Sequence, residues 1–355
     1  MSETYFAFIM EGFLMPAVTI FGLVCNSLTL YVLNDKDVKL KREFVQCLCS
    51  LTIFDNFFLM SALFLFSIPN LSEDFKNFHF AHIAPYLLPI TNTLMTCSCY
   101  MTVAVSVNRC MGTISSTTRG SFRRIKNGYV QALIVLLVST CVNAPRWLEF
   151  SCCRYKTEIV NTTDNINGDI IEQNTTVAIL PIINPIRDQY EYVLYYTVIA
   201  SNVLTLLLPM ILLSISAVLI FREMARTAHL TAGLLSDAEE TSRRRRYQSV
   251  TFMLIGIIIL FIFCRVGELL ISIYELVMLV LNGKRESFPA SVRMIIIFNH
   301  FLLVCNSSLN FAIYCKDVFF RQCLKKLYHA MRGKKSNGGN LSLQETQLMT
   351  RGTHL

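Results

Sequence analysis

Charge is what this 355-residue chain has least of: 16% of its residues are Asp, Glu, Lys or Arg, against about 25% in soluble globular proteins. That deficit does not suit a soluble enzyme. Glycine (14) and proline (9) are also scarce, which excludes collagen-like and low-complexity chains. There is no His-Glu-x-x-His metal motif, no Walker loop and no glycine-rich nucleotide fingerprint. Nor is there an internal repeat of the kind that builds many transporters. The 13 cysteines are too dilute for a small disulfide scaffold. A membrane transporter or membrane enzyme stays open as a reading, to be recognised by measured flux or turnover. The sequence itself predicts no enzyme and no cofactor.

Apolar length is what the chain has instead. Hydrophobic residues make up 53% of it, and seven runs approach or exceed the roughly 20 residues that cross a bilayer as a helix. They cover 12–33, 45–68, 83–107, 128–144, 192–221, 250–280 and 294–315. The fourth is the shortest and needs its flanks to span. Five of the seven contain no charged residue; the second holds only Asp55, and the sixth holds Arg265, Glu268 and Glu275. Lipid offers the backbone no hydrogen bonds, so such runs are helices, and they are too long and continuous for the alternating strands of a barrel. The predicted fold is an all-α membrane protein, a seven-transmembrane helix bundle.

Basic residues set the orientation. With residues 1–11 placed outside, 23 Lys and Arg fall in the cytoplasmic loops and tail, against eight outside and Arg265 within a span. That satisfies the positive-inside rule, so the net charge of +8 reports topology and not nucleic-acid binding. The expected location is the plasma membrane, multi-pass, with the N-terminus extracellular and the C-terminus cytoplasmic. The sequons at Asn70, Asn161 and Asn174 all fall in outside loops and are the glycosylation candidates. No basic residue precedes the first run, so no cleavable signal peptide is expected. Residues 145–191 form a long outside loop and a candidate cap. After the seventh run, residues 316–332 carry apolar side chains at helical spacing with Lys and Arg between them, which predicts a short amphipathic eighth helix on the bilayer surface. Cys323 in it is a lipidation candidate, and 333–355 is a cytoplasmic tail.

Polar residues inside the runs sharpen the reading, because buried ionisable groups in membranes are functional candidates. Asn26, Asp55 and the stretch Asn306-Ser307-Ser308-Leu309-Asn310-Phe311-Ala312-Ile313-Tyr314 resemble the marker residues of rhodopsin-like G-protein-coupled receptors. The resemblance covers all seven runs in order. Within that family, four motifs resemble the FMRFamide-type neuropeptide receptors: Met101-Thr102-Val103-Ala104-Val105-Ser106-Val107-Asn108-Arg109, Asn143-Ala144-Pro145-Arg146-Trp147-Leu148-Glu149-Phe150, Phe263-Cys264-Arg265, and Asn310-Phe311 in place of the usual Asn-Pro.

The resemblance implies a receptor for an extracellular amidated peptide ending in Arg-Phe-amide, signalling to a heterotrimeric G protein, with arrestin as a further partner and the lipid bilayer as its setting. Arg109 would engage the G protein, Tyr314 would support the active state, and Asp55 with Asn310 would link ligand site to cytoplasm. It also implies a sodium pocket of Asp55, Ser98, Asn306 and Asn310; the plainer reading is a neutral, hydrogen-bonded core acid. Aminergic receptors carry an Asp where this chain has Thr91, and opsins need a Lys in the seventh run, which is absent. The alternative within the fold is a chemosensory receptor for small environmental molecules.

A ligand with a cation and an aromatic ring calls for a carboxylate near an apolar slot. The outside surface carries twelve acids (Glu11 and Glu149 among them) against eight bases, a balance that steers a cationic peptide inward. Glu268 and Glu275 are the candidates for the ligand cation, with Thr91, Met95, Tyr195, Asn299 and His300 at comparable depth. Glu268 has a competing role as partner of Arg265, three residues earlier on the same face, and His300 has one as a core histidine.

Three features depart from the family pattern. Asn108 stands where an acid usually pairs with the adjacent arginine, so the inactive state is either loosened or poorly coupled. Ala84 replaces the cysteine that usually ties helix three to the second outside loop. The adjacent Cys152 and Cys153 then stay free, lie at the membrane interface or bridge between chains. Arg265 and Gly267 replace a Trp and a Pro in the sixth run. Arg265 needs a partner there, which is Glu268 or, from below, Asp55.

Overall fold

The computed structural model describes residues 3–34, 41–113, 127–163, 170–231, 261, 263–282, 288–314 and 325. Among them, six helices are long and apolar enough to cross a membrane. These are α1 (Glu3–Leu33), α2 (Arg42–Leu71), α3 (Phe75–Asn108, continuing to Thr113), α4 (Gly128–Leu148), α5 (Tyr192–Glu223) and a last helix at Ala290–Tyr314. Residues 263–282 form a further helix, α6, set apart by its three charges, Arg265, Glu268 and Glu275; the last helix is therefore α7. The fold is a seven-helix transmembrane bundle. The eighth-helix region (apart from Lys325), Cys323, the basic run Arg243–Arg246 and the tail lie outside the described residues.

The bundle has an apolar exterior as well as an apolar core. Phe13, Phe21, Tyr31, Leu137, Ile211 and Phe221 are among many large side chains left exposed, as a surface facing lipid requires. Inside, one cluster joins Leu33, Phe44, Leu51, Met101 and Ala132 from α1 to α4. Another joins Met15, Phe58, Cys264 and Val304 from α1, α2, α6 and α7. A third joins Val103, Leu206 and Leu213 from α3 and α5 with Phe261, two residues before α6. Small residues permit the closest approaches, as is usual between membrane helices. A Cβ on Gly22 would fall 2.3 Å from Ser308 Oγ, so α1 and α7 meet there. A Cβ on Gly267 would fall 2.2 Å from Asn299 Oδ1, so α6 and α7 meet there.

The end of the bundle where α1 begins is here called the outer end, after the orientation expected from the basic residues. Its helices are not uniformly wound. Phe8–Leu14 in α1, Leu63–Ser67 in α2, and Tyr192–Ser201 and Val203–Leu207 in α5 bond i to i+5, a wide winding that is otherwise rare and often marks functional sites. The chain is helical from Glu3 onward, where residues 1–11 were expected as an outside tail; Arg293 of α7 grips the Glu3 carboxylate and fixes that start. The long loop after α4 is a β-hairpin, β1 (Phe150–Thr163) and β2 (Ile170–Ile183), paired antiparallel from Phe150↔Ile183 to Thr163↔Ile170. Its register shifts between Ser151 and Arg154, where Cys152 and Cys153 sit. Cys152 is disulfide-bonded, which removes the free thiol from the alternatives the sequence left open; its sulfur partner lies outside the described side chains. Its Sγ also lies 3.3 Å from His82 Nδ1 on α3.

Candidate ligand cavity and the polar core beneath it

The turn that ends α4 builds one wall of the site. Pro145 starts a tight helical turn at Ala144–Leu148, where its fixed φ and missing N–H are tolerated. Arg146 and Glu149 then stand three residues apart on one side, Nη1 to Oε1 at 3.9 Å. Arg146 also donates to Ser201 Oγ (3.3 Å) and lies over the Tyr196 ring. Glu149, 6% exposed, accepts from the Tyr192 hydroxyl at 2.8 Å. The short turn Pro185–Asp188 between β2 and α5 carries Arg187. Its Nε is 3.5 Å from Glu149 Oε2 and its Nη2 is 3.9 Å from Glu275 Oε1 on α6. Two turns deeper on α6, Glu268 Oε2 receives Arg265 Nη1 at 2.6 Å. Guanidinium and carboxylate groups therefore alternate along this wall.

The opposite wall is aromatic. His300 on α7 stacks on Phe66 of α2, with centroids 4.0 Å apart and planes 21° from parallel. Its Nδ1 is 3.4 Å from Glu11 Oε1, and Asn70 Nδ2 donates to Glu11 Oε2 at 2.8 Å. Between the walls lies a cavity of about 310 Å³ that Thr91, Met95, Asn299, His300, Glu268 and Glu275 help to line. Thr91 is buried with its hydroxyl turned back to Leu87 O. Asn299 is buried with its Oδ1 lodged against Gly267 and no hydrogen-bond donor on it.

The candidate residues thus fall together, with one exception. Tyr195 is 63% exposed and does not line the cavity. The wide winding of Tyr192–Ser201 shifts the inward face, so Tyr192 reaches the cavity instead. Glu11 and Glu149, counted among the surface acids, are buried at 8% and 6% exposure and belong to the two walls. Glu275, expected as the uncommitted carboxylate, is bridged by Arg187. Arg146, Glu149, Arg187 and Tyr192 were not singled out from the sequence as ligand residues. The spacing Arg146-x-x-Glu149 was the available signal for two of them; nothing local foretells that Arg187 returns to Glu149.

Beneath this cavity the polar core is tight. Asp55 has no exposed surface. Ser98 Oγ donates to its Oδ1 at 2.5 Å and Asn310 Nδ2 to its Oδ2 at 2.7 Å. A small cavity of about 20 Å³ lies between Ser98, Asn306, Asn310 and Arg265, room for about one water. These residues do not fit a sodium ion well: both Asp55 oxygens are committed, and the Arg265 guanidinium already supplies a positive charge to the same space. Among the described residues no cluster of three His, Cys, Asp or Glu could hold a metal. Arg265 pairs upward with Glu268 and lies over the Phe261 ring, 5.8 Å from its centroid, so Asp55 is not its partner in the structure. Toward the inner end, Asn108 Nδ2 donates to Gln131 Oε1 (2.8 Å) and contacts Cys47 Sγ (3.2 Å). The side chains of Arg109 and Tyr314 lie outside the described set, as do those of Asn161 and Asn174.

Seven helices around an outer cavity, with a buried Asp55–Asn310 pair below, define a multi-pass membrane protein resembling the rhodopsin-like G-protein-coupled receptors. The chain is similar to a probable G-protein-coupled receptor of Caenorhabditis elegans, frpr-1, with 22% identity over 365 residues covering 96% of this chain and 84% of that protein. It is likewise similar to the FMRFamide receptor of Drosophila melanogaster, with 22% identity over 325 residues covering 89% of this chain and 52% of that protein. No family model matches the chain. The resemblance to FMRFamide-type receptors seen in the motifs thus extends along nearly the whole chain.

Proposed function

We propose that this protein is a receptor for an amidated peptide of the Arg-Phe-amide type and transmits binding to a heterotrimeric G protein. The observation that carries the reading is the two-sided cavity: ionic on the side of Glu149, Glu268 and Glu275, aromatic on the side of Phe66 and His300. A ligand bearing a guanidinium and a phenyl ring, with no terminal carboxylate, matches both sides. The cavity volume of about 310 Å³ falls at the lower end of ligand sites, enough for the end of a peptide whose remainder lies outside. The name of the fly relative points the same way and favours a peptide over a small environmental molecule.

In this reading Glu268, Glu275, Thr91, Met95, Asn299 and His300 form the ligand surface, joined by Glu149 and Tyr192. Arg109 engages the G protein when α6 moves outward, with Tyr314 supporting that state and Asp55–Asn310 linking the two ends. Arrestin would meet the same cytoplasmic face. Asn161 and Asn174 are the better glycosylation candidates, since Asn70 spends its amide on Glu11 and Phe66 O. The test is G-protein activation in cells expressing the chain, challenged with amidated peptides and with small odorants. Responses confined to Arg-Phe-amide peptides are the expected result. Responses only to odorants, with surface expression verified, would overturn the reading.

A further inference from the structure

We propose that the cage of Glu149, Glu275 and Phe150, filled in this structure by Arg187, is the binding site for a ligand's guanidinium, and that Arg187 holds it until the ligand enters. The identity of the ligand rests on the peptide reading above; the cage itself rests on geometry. Arg187 lies between carboxylates of two separate elements, the end of α4 and α6. Its guanidinium also covers the Phe150 ring at 4.7 Å. Two carboxylates and one ring face are a complete recognition set for a planar cation.

Arg187 meets these two carboxylates at long range. Its contacts of 3.5 and 3.9 Å are long beside the roughly 2.7–2.9 Å of a tight charge-assisted bond. The Arg265–Glu268 pair deeper on the same helix closes to 2.6 Å. Glu149, Glu275 and Arg187 all line the ligand cavity. Arg187 rides on a four-residue turn outside the membrane helices, so its departure needs no helix to move. Its side chain bridges that turn to α6. A ligand guanidinium that replaces it keeps the carboxylates paired and releases α6 from the turn.

The site predicts a competition. A guanidinium tethered within the protein lowers apparent affinity in proportion to its occupancy, so removing it strengthens a ligand that uses the cage. The experiment compares an Arg-Phe-amide peptide with its citrulline analogue, which keeps the shape and loses the charge, on wild type and Arg187→Gly. We expect the potency ratio of the two peptides to widen by about tenfold in Arg187→Gly. Arg187→Lys, which keeps the charge and lacks the planar fork, should widen it less. An unchanged or narrowed ratio in both variants overturns the proposal.

A second arm needs no peptide. Purified full-length Arg187→Gly should melt lower than wild type and regain stability in millimolar methylguanidinium, but not in tetramethylammonium at equal ionic strength. Adding Glu275→Gln should abolish the recovery. If peptides fail on wild type while methylguanidinium restores Arg187→Gly, the peptide reading falls and the cage stands. If peptides act but neither the recovery nor the ratio change appears, the cage falls and the peptide reading stands.

Discussion

The two polar regions of this bundle are built on opposite plans. The outer cavity is held by charged pairs with slack in them: Arg146–Glu149 at 3.9 Å, Arg187–Glu149 at 3.5 Å and Arg187–Glu275 at 3.9 Å. The region around Asp55 is held by short bonds from neutral donors, at 2.5 Å from Ser98 and 2.7 Å from Asn310, around a space of about 20 Å³. Slack pairs facing a roomy cavity can exchange one partner for a ligand. Short bonds to a fully buried carboxylate beside a guanidinium resist such an exchange. The first arrangement suits recognition, and the second suits a fixed joint between helices. Arg265 and Glu268 sit at the boundary, with Glu268 lining the upper cavity and Arg265 the lower one.

The boundary is where substitution should cost most. Glu268→Leu leaves Arg265, 3% exposed, over the Phe261 ring without its close carboxylate. Removing one partner of a buried pair costs about 3–5 kcal/mol, whereas replacing both with apolar residues is often neutral. The melting temperature of purified Glu268→Leu should therefore drop sharply, and Arg265→Leu/Glu268→Leu should recover most of the loss. Equal melting of the single and double variants would mean the pair is as loose as those above it.

The seam beside that boundary gives the next largest effect. Gly267→Ala places a methyl 2.2 Å from Asn299 Oδ1 and 2.9 Å from its Cγ. Overpacking of this kind costs about 1–3 kcal/mol. Surface expression and melting temperature should both fall, and Asn299→Ala in the same chain should restore them by making room. Without that restoration, the damage lies in the helix backbone and not in the α6–α7 contact.

How far each region was legible in the sequence follows from the same contrast. The seven helices showed as long apolar runs, five of them uncharged, because lipid demands length and tolerates little charge. Asp55 was legible because a lone acid inside an apolar run stands out, whereas Ser98 and Asn310 were named through the resemblance to rhodopsin-like receptors. Arg265–Glu268 was legible from their three-residue spacing. The outer wall was not. Its central contact joins Glu149 to Arg187 across the whole hairpin β1–β2, and no periodicity links those positions. Tyr195 was grouped with the cavity by its depth along the run, which does not settle the face it occupies in a stretch that winds i to i+5. Glu11 read as surface because residues 1–11 lack a long apolar run, yet the chain is helical from Glu3 onward and buries it.

A smaller effect is expected at the inner end, where neutral bonding again holds. Asn108 donates to Gln131 Oε1 and to Cys47 Sγ. A carboxylate there only accepts, so Asn108→Asp gives up both donated bonds, which Gln131 and Cys47 can replace only by turning their own donors toward it, and offers an acid to the neighbouring Arg109. Ligand-free signalling at matched surface expression should then fall by about half, a population shift of a fraction of a kcal/mol. Equal basal signals in the two chains would mean that the Asn108–Gln131 bond already restrains the inactive state as well as an acid does.

The smallest effect should be that of sodium, and it bears most directly on the lower region. An ion that binds only the folded state adds stability that grows with the logarithm of its concentration. A cation beside Asp55 would have to displace the Ser98 or Asn310 bond and sit near the Arg265 guanidinium, which lines the same small space. Coulomb repulsion between like charges in so small a volume opposes it. Exchanging sodium for choline at constant ionic strength should move the melting temperature of wild type by about a degree or less. In Arg265→Leu/Glu268→Leu the repelling charge is gone while Asp55, Ser98, Asn306 and Asn310 remain, so a sodium-dependent rise should emerge there. A strong sodium effect on wild type would show that Arg265 does not govern the space, and that the lower region exchanges partners as readily as the upper one.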